Sequence, residues 1–469
     1  MRVLMLGWEF PPFISGGLGT ACHGLTKGLS ELGVPVIFVL PRSVRSDAAT
    51  HVQLLSGPRG SAASNGWRTI SRAISGVAFR GVNVQLYPYG SPGALPAPVG
   101  ETQRLSILSA TRSPVAALRA TEPSRPGVPP LEPPPAVANY SGDLFGEIGR
   151  YIESVSQIAC EEAFDVIHAH DWMTFQAGAV ASRLTGKPLV VHIHSTEFDR
   201  SGENIHQAIY DIEREGMYAA DHVIVVSQLT RRICIQRYGV PAEKVTVVYN
   251  AVNGHEASGG GPRLEKTDKV VLFLGRITMQ KGPEYFLAAA KKVLERVPNA
   301  KFVMAGTGDM VPRIVELAAS LGIGHRVLFT GFLRGNEVDK AFKMADLYVM
   351  PSVSEPFGIT PLEALARNVP VLISKQSGVS EVLTHALKVD FWDIDEMANK
   401  MISILTRTPL RQTLRQNGSH EVRKFNWTQA ARQCLDIYAD VINRCTRGYV
   451  GEDSGSPAGV PALQPASGG

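Results

Sequence analysis

Two glutamates, Glu355 and Glu363, have the residue type and placement that best suit chemistry on a ligand. An apolar run at 345–350, which predicts a buried strand, precedes them, and a helical pattern follows. Ligands of open α/β sheets bind beyond the carboxyl ends of the strands, so both carboxylates are expected at such an edge. Gly358 lies between them, where a helix N-terminus would offer free backbone N–H groups to a phosphate.

The same residues also fit a purely structural explanation. Thr360, followed by Pro361 and then Glu363, matches a capping box with proline at the first helical position. Glu355 fits a solvated loop residue. This stretch alone therefore does not decide between ligand contact and structure.

Two cations, Arg276 and Lys281, follow the first predicted strand of the second half of the chain. The strand would place them at the carboxyl edge of its sheet, where a diphosphate could bind. An arginine can hold such a group through two N–H donors. A solvated basic loop is the alternative, but the position at a strand end favours the ligand.

Glycine-containing turns follow several predicted strands. Gly17 belongs to a Gly-Gly-Leu-Gly run before the first predicted helix, which begins at Ala21, and Gly306 and Gly331 end two later strands. Glycine lets a backbone approach a ligand closely. The spacing is not that of a dinucleotide-binding fingerprint, and each turn alone is ordinary. Together they favour a nucleotide on one rim of the second half.

Histidines cluster near the ends of two strands in the first half. His194 ends one strand and is either a hydrogen-bonded structural group or a functional one. His192 is expected to point elsewhere in the core. His168 and His170 share one strand face beside Asp171, but no further ligands with metal spacing accompany them, so no metal site is expected.

The order of the elements predicts two α/β domains. Strands alternate with helices on both sides of a Gly-rich segment, and strand, helix, strand order indicates parallel sheets. The Pro- and Ala-rich segment predicts a low-order insertion, and the small polar residues at the end predict a disordered tail. The expected bounds are 1–253 for the first domain with the insertion at 91–137, 254–266 for a linker, 267–424 for the second domain, 425–447 for a helix that crosses back, and 448–469 for the tail.

Composition excludes several classes of protein. Of 469 residues, 44% are apolar and 19% are charged, which is typical of a globular protein, and the net charge of +4 gives no case for nucleic acid. No apolar run approaches the length of a membrane span, and no signal peptide is expected. Five scattered cysteines suit reduced thiols in a cytoplasm. The sequence does not predict the oligomeric state.

With these residues assembled, the chain resembles the retaining GT-B glycosyltransferases around the glycogen synthases and the family 4 glycosyltransferases. The resemblance extends from Met1 to about Arg444. It rests on the Gly-Gly-Leu-Gly loop, His194, the Arg276 and Lys281 pair, Gly306-Thr-Gly, and the Glu355-x7-Glu363 motif. It implies two doubly wound Rossmann-like domains that face a central cleft.

The resemblance also implies roles for these residues. A nucleotide-diphosphate sugar would be the donor substrate, with no cofactor and no metal, and a carbohydrate or small molecule would be the acceptor. Glu363 would bind the ribose, Glu355 the donor sugar, and His194 would lie near the reacting carbon. The expected catalytic residues are His194, Glu355, Arg276 and Lys281, and the expected donor-binding residues are Gly17, Arg276, Lys281, Gly306, Gly331, Phe357, Gly358, Ile359, Thr360 and Glu363.

Two departures separate the chain from bacterial glycogen and starch synthases. Ile14 occupies the position of their lysine before Gly-Gly-Leu, and Ser377 to Glu381 replaces their second Thr-Gly-Gly-Leu run. The donor base, sugar and acceptor are therefore open, with glucosyl transfer the first expectation. A nucleotide-sugar epimerase of the same fold and a non-catalytic nucleotide-sugar-binding scaffold are the alternatives.

Overall fold

The computed structural model describes residues 1–11, 16–41, 77–81, 144–252 and 267–452. They form two α/β halves, each built on a fully parallel sheet with helices on both faces. The expected insertion, the linker and Ile14 lie outside these residues. The GT-B architecture of two doubly wound domains is confirmed.

The sheet of the N-terminal half has seven strands in the order β3-β2-β1-β4-β5-β6-β7. The chain first moves to one side of β1 and then returns to add β4 on the other side. The carboxyl ends of β1 and β4 therefore flank the point at which the strand order reverses, where ligands of such sheets bind. The strands are β1 (Val3–Leu6), β2 (Val36–Leu40), β3 (Val77–Gly81), β4 (Val166–His170), β5 (Leu189–Ile193), β6 (His222–Val225) and β7 (Val245–Val247).

The helices of this half pack against both faces of the sheet. The first helix begins at Gly17 rather than at the expected Ala21, because Gly16 with its extended backbone serves as the N-cap. The glycine run thus forms the first helical turn as well as the preceding loop. The helices are α1 (Gly17–Glu31), α2 (Leu144–Glu161), α3 (Trp172–Thr185), α4 (Glu197–Ser201), α5 (Gln207–Ala219) and α6 (Gln228–Tyr238).

The sheet of the C-terminal half repeats the same winding with six strands, in the order β10-β9-β8-β11-β12-β13. Its central strands are apolar on both faces, as strands covered by helices on both sides must be. Val271 and Phe273 of β8 face one buried cluster and Leu272 faces the other. The strands are β8 (Lys269–Leu274), β9 (Ala300–Ala305), β10 (Val327–Gly331), β11 (Leu347–Met350), β12 (Val371–Ser374) and β13 (Leu387–Val389).

Helices connect these strands, and the last helix of the chain leaves this half. The helices are α7 (Pro283–Leu294), α8 (Val311–Ser320), α9 (Asn336–Met344), α10 (Ile359–Ala366), α11 (Val379–Val382), α12 (Ile394–Thr406), α13 (Thr408–Glu421) and α14 (Trp427–Glu452). The tail was expected to begin at 448, but α14 continues to Glu452, and residues 453–469 lie outside the described part.

The helix α14 packs directly against α1 of the N-terminal half. The fit depends on two glycines of α1: a Cβ on Gly24 would lie 2.0 Å from the Trp427 ring, and one on Gly28 would lie 2.4 Å from the Trp427 carbonyl oxygen. The Thr428 hydroxyl donates a hydrogen bond of 2.6 Å to Glu31. The end of the described chain is thus held against its beginning.

Two further observations concern the chain as a whole. All five cysteines are within the described residues and are free thiols. Among the described helices, none combines the length and apolar character needed to cross a membrane.

We expect Gly28→Ala to lower the free energy of unfolding by about 1–3 kcal/mol, because the added methyl overpacks the contact between α1 and α14. Urea denaturation measures this change. The matched control is Gly149→Ala on α2, where a Cβ meets nothing within 4 Å. There we expect no loss, or a gain of up to about 1 kcal/mol. Equal effects of the two substitutions would contradict this account of the glycines.

Candidate active site

An ion pair joins two neighbouring strand ends of the C-terminal half. Lys281 follows β8 and Glu355 follows β11, the two strands that flank the reversal of strand order. The Lys281 Nζ lies 2.6 Å from Glu355 Oε2, and their side chains are only 19% and 10% exposed. The Ser352 hydroxyl donates to the same carboxylate oxygen at 3.2 Å. The structure therefore brings these two expected site residues together.

Glycine turns line the rim beside this ion pair. The N–H of Gly306 donates to the Gly331 carbonyl at 2.8 Å, and the N–H of Gly275 donates to the Ala305 carbonyl at 3.0 Å. Gly306 has φ of 142°, and a Cβ there would lie 1.8 Å from the Gly275 carbonyl oxygen. No other residue fits this position without moving the turn. Arg276 follows Gly275 directly in the sequence, and its side chain is half-buried.

The helix α10 begins one residue after Gly358, which has φ of 99° and serves as the N-cap. Thr360 and Pro361 therefore lie inside the first turn, and the capping-box explanation of this stretch is wrong. Because the cap residue is a glycine, no capping side chain accepts the N–H groups of Ile359 and Thr360 at this helix N-terminus. This end of the helix suits an anion.

Glu363 lies one turn further along α10 and is partly buried. Burial raises the pKa of its carboxyl, while the Arg367 guanidinium opposes that rise. Arg367 is itself paired with Asp339 at 2.5 Å. Glu363 is thus a carboxylate held on the helix body rather than a capping group, and Phe357 is buried just before the helix.

Four histidines of β4 and β5 form a stacked array that runs from the middle of β4 to the carboxyl ends of both strands. His170 Nδ1 lies 2.9 Å from His194 Nε2, and His168 Nε2 lies 3.2 Å from His192 Nδ1. The Tyr438 hydroxyl of α14 bonds His168 Nδ1. The expectation that His192 points elsewhere was wrong, because residues two apart on a strand share a face.

Burial keeps these rings neutral. It lowers the pKa of His168 and of His194 to about 3, and it lowers the pKa of His170 and His192 well below the usual value. Among the described residues, His194 Nδ1 has no hydrogen-bond partner. His194 therefore offers an uncharged ring nitrogen at the carboxyl end of its strand.

Asp171 positions His194, a role that sequence reasoning did not assign. It has φ of 57° and follows β4, and its Oδ1 accepts the backbone N–H of His194 at 2.7 Å and of Ser195 at 3.3 Å. Burial raises the pKa of Asp171 to about 7, although the hydrogen bond from His194 opposes the rise. Asp171 follows a strand directly, as His194 does, and this position was the feature of the sequence that could have identified it as a site residue.

A buried ionic network fixes the short helix that follows His194. The Arg200 guanidinium lies 2.5 Å from Glu213 and 3.1 Å from Glu197, and it donates to the Ser195 carbonyl at 3.0 Å. Burial raises the pKa of Glu213, and Arg200 opposes that rise. The network leaves Asp199, also buried, directed towards the other half.

A hydrogen bond across the cleft connects this segment with the acidic loop. The Ser354 hydroxyl donates to Asp199 Oδ1 at 2.7 Å. Ser354 immediately precedes Glu355, and Asp199 lies on the helix just after His194. The loop that carries Glu355 and the loop that carries His194 therefore meet. Gly17, at the start of α1, belongs to the same half as His194.

The ring nitrogens of three histidines are close enough to bind a metal: those of His168, His170 and His192 lie within 4.8 Å of one another. His168 bonds His192 and His170 bonds His194, while His170 Nε2 and His192 Nε2 have no hydrogen-bond partner among the described residues. The expected absence of a metal stays a prediction.

The neutral histidines predict a specific acid sensitivity. An unfolded histidine titrates near 6.5, so between that pH and about 3 the unfolded chain binds more protons than the folded one, and stability falls as pH falls. We expect His168→Gln to reduce the slope of unfolding free energy against pH by about 1.4 kcal/mol per pH unit. Urea denaturation from pH 7 to 4 measures it.

The matched control is His325→Gln, since His325 is exposed on the C-terminal half. We expect that substitution to leave the slope unchanged. An unchanged slope in His168→Gln would show that the buried ring takes up protons as readily as an unfolded one.

Three protein-family models match successive parts of the chain. They are the starch synthase catalytic domain at residues 2–86, glycosyltransferase family 4 at 68–255, and glycosyl transferases group 1 at 260–421.

Similar proteins extend over nearly the whole chain. An uncharacterized glycosyltransferase of Methanocaldococcus jannaschii is 30% identical over 93% of this chain and 98% of its own length. A glycogen synthase of Mycobacterium tuberculosis is 25% identical over 93% of this chain and 94% of its own.

Solved structures share the fold. Sucrose-phosphate synthase of Thermosynechococcus elongatus is 18% identical, with a TM-score of 0.66 over 95% of this chain and all of its own. The HepE protein of Anabaena, solved with UDP-glucose, is 18% identical, with a TM-score of 0.63 over 94% of this chain and all of its own. On its sequence relatives the chain belongs to the glycosyltransferases, and its fold is that of the GT-B, glycogen-synthase-like group.

Proposed function

We propose that the protein is a retaining glycosyltransferase that moves a glucosyl group from a nucleoside diphosphate glucose to a hydroxyl of a glucan or small glycoside. The observation that carries the proposal is the hydrogen bond between Ser354 and Asp199. It holds the Lys281 and Glu355 pair of one half next to the His194 segment of the other, as transfer within a cleft requires.

The diphosphate of the donor would bind between two cations and a helix N-terminus. Lys281, Arg276 and the N–H groups of Ile359 and Thr360 all lie at the carboxyl edge of the second sheet. In the structure Glu355 neutralises Lys281 at 2.6 Å. The diphosphate would take over that role, and the released carboxylate would accept hydrogen bonds from the sugar hydroxyls. Lys281 thus exchanges one anion for another.

The nucleoside would extend along the glycine rim. Glu363 supports the ribose hydroxyls as a hydrogen-bond acceptor, and the turns at Gly306 and Gly331 let the backbone approach the ligand closely. Phe357 and Gly358 shape the start of α10, and Gly17 contributes a helix N-terminus from the opposite half. These assignments follow the family resemblance, and the positions at the strand ends support them.

In the transfer step, the acceptor oxygen forms a bond to the anomeric carbon on the face from which the diphosphate departs. The bond from that carbon to the phosphate oxygen breaks, and the acceptor proton passes to the leaving phosphate. The configuration at the carbon is retained. Arg276 and Lys281 stabilise the negative charge that grows on the diphosphate. His194, neutral because of burial, lies beside the sugar without repelling a developing positive charge.

Glucose is the proposed sugar because of the named relatives. One is a glycogen synthase that aligns along nearly the whole chain, and one solved structure of the same fold holds UDP-glucose. The proposal names no nucleotide base, and the type of acceptor and a cytoplasmic location stay predictions.

We expect Lys281→Ala and Glu355→Gln each to lower the transfer rate at saturating donor by about 100-fold or more, because each removes a group that contacts the charged or reacting part of the donor. A panel of UDP-, ADP- and GDP-glucose with glucan and glycoside acceptors, read by product mass, measures this. The same panel in a thermal-shift assay identifies the base, since a bound donor raises Tm.

The matched control is Lys292→Ala, which removes a lysine from an exposed ion pair with Asp395 on the same half. It is expected to keep its rate within about twofold. Wild-type rates in both site variants would refute the proposal, and a product with the mass of the donor would favour an epimerase.

We expect prolonged dialysis against EDTA to leave transfer unchanged. The donor diphosphate would be neutralised by Arg276 and Lys281, so no cation needs to bridge it. Elemental analysis of the dialysed protein verifies that metal is absent. A loss of activity that Zn²⁺ or Mg²⁺ restores would contradict the prediction, and the four histidines would then be the candidate metal ligands.

A further inference from the structure

Glu381, in the segment that departs from the synthase pattern, makes its main contacts with the other half of the protein. Its Oε2 accepts the backbone N–H of Gln228 at 2.8 Å, and its Oε1 accepts that of Leu229 at 2.6 Å. Both groups belong to the first turn of α6 in the N-terminal half. A carboxylate from one half therefore closes the N-terminus of a helix in the other.

The contact supplies hydrogen-bond acceptors and a negative charge to the N-terminus of α6. The first N–H groups of a helix have no partner within it and carry partial positive charge. Ser227 accepts the N–H of Thr230 at 3.0 Å, so Glu381 and Ser227 together complete the first turn. The Tyr249 hydroxyl donates to Glu381 at 3.4 Å, and the carboxylate is a main reason, after burial, that the pKa of Tyr249 is raised.

The segment that carries Glu381 is hydrogen-bonded to the acidic loop of the site. The N–H of Gly378 donates to the Glu355 carbonyl at 2.9 Å, and the N–H of Glu355 donates to the Gln376 carbonyl at 3.0 Å. The N–H of Val379 donates to the Phe357 carbonyl at 2.7 Å. The segment that carries Glu381 is therefore fixed to the backbone of Glu355 by two hydrogen bonds and to that of Phe357 by a third.

The two halves approach each other closely at Gly378. A Cβ at this position would lie 2.2 Å from the Pro356 carbonyl oxygen and 2.4 Å from Cβ of Ser227. The backbone φ of Gly378 is −62°, so its conformation is open to any residue and only the lack of space requires glycine. Glu381 and Gly378 thus belong to the same contact between the halves. Glu381 contributes a negative charge, and Gly378 allows the close approach because it has no side chain.

We propose that Glu381 is a positioning residue for transfer: by closing the N-terminus of α6, it holds the Glu355 loop at its working distance from the His194 segment. The inference rests on the proposed function, since it assumes that both loops contact the donor sugar. Glu381 itself touches neither the donor-binding cations nor the histidines.

The test compares Glu381→Gln with Glu421→Gln. Glu421 accepts two neighbouring backbone N–H groups, of Thr384 at 2.8 Å and His385 at 2.9 Å, but entirely within the C-terminal half. It is thus a matched control for the loss of a carboxylate that holds backbone. The readouts are kcat/KM for transfer, affinity for the nucleoside diphosphate alone, Tm, and the radius of gyration from small-angle X-ray scattering.

We expect Glu381→Gln to lower kcat/KM about tenfold, which corresponds to about 1.4 kcal/mol and lies within the range for a carboxylate at a helix N-terminus. Nucleoside diphosphate affinity should stay within about twofold, because the two cations and the start of α10 lie within one half and only Gly17 would add a contact from the other. The radius of gyration of the free protein should increase. Glu421→Gln should lower Tm and leave kcat/KM and the radius of gyration unchanged.

A second variant, Gly378→Ala, crowds the Ser227 side chain of the other half and the Pro356 carbonyl of its own half without removing a charge, and should reproduce the lowered kcat/KM and the larger radius. Unchanged kcat/KM in Glu381→Gln, or equal losses in Glu381→Gln and Glu421→Gln, would overturn the inference. An unchanged radius of gyration in both Glu381→Gln and Gly378→Ala would also overturn it. If wild type transfers no sugar, the proposed function fails, while scattering still tests the contact.

Discussion

The ion pair between Lys281 and Glu355 is the interaction on which the candidate site depends. Both side chains are largely enclosed, and because removing water from an ion is costly, the pairing offsets part of that cost. The pair exists because β8 and β11 are neighbours although many residues separate them, a consequence of the winding order of the second sheet. The structure thus already holds a cation and an acceptor oxygen together, so under the proposed function a diphosphate sugar would find both in place and Lys281 would only change its partner.

The two halves share the same sheet winding, but the groups at their strand ends differ in charge. The strand ends of the C-terminal half present cations, a helix N-terminus and close-packed glycine turns, which suit an anionic ligand. The strand ends of the N-terminal half present four uncharged imidazoles, with Asp171 fixing the backbone beside them. A reacting sugar between these surfaces would have its leaving group on the charged side and its ring on the neutral side. The hydrogen bond from Ser354 to Asp199 joins the two environments.

The local sequence pattern predicted the strands, the glycine turns and the residues at strand ends, because burial and turn geometry depend on residues that are neighbours in the sequence. The start of α1 was missed, since Gly16 caps it through backbone conformation alone, whereas the helix start expected at Gly358 is where α10 begins. The orientation of His192 was open to a correct prediction, because strand alternation places it with His194. The contacts of Glu381 with α6 were not predictable, as they join residues more than 150 positions apart and depend on how two domains meet.

The packing of α14 on α1 has a consequence for the order in which the chain matures. As the ribosome releases the N-terminal half, the glycine-notched face of α1 has no partner, because Trp427 is synthesised only after the whole second sheet. The Tyr438 hydroxyl reaches His168 at the same late stage. The first half therefore completes its packing last, and the histidine side of the cleft acquires its final surroundings only when synthesis of the second half is finished.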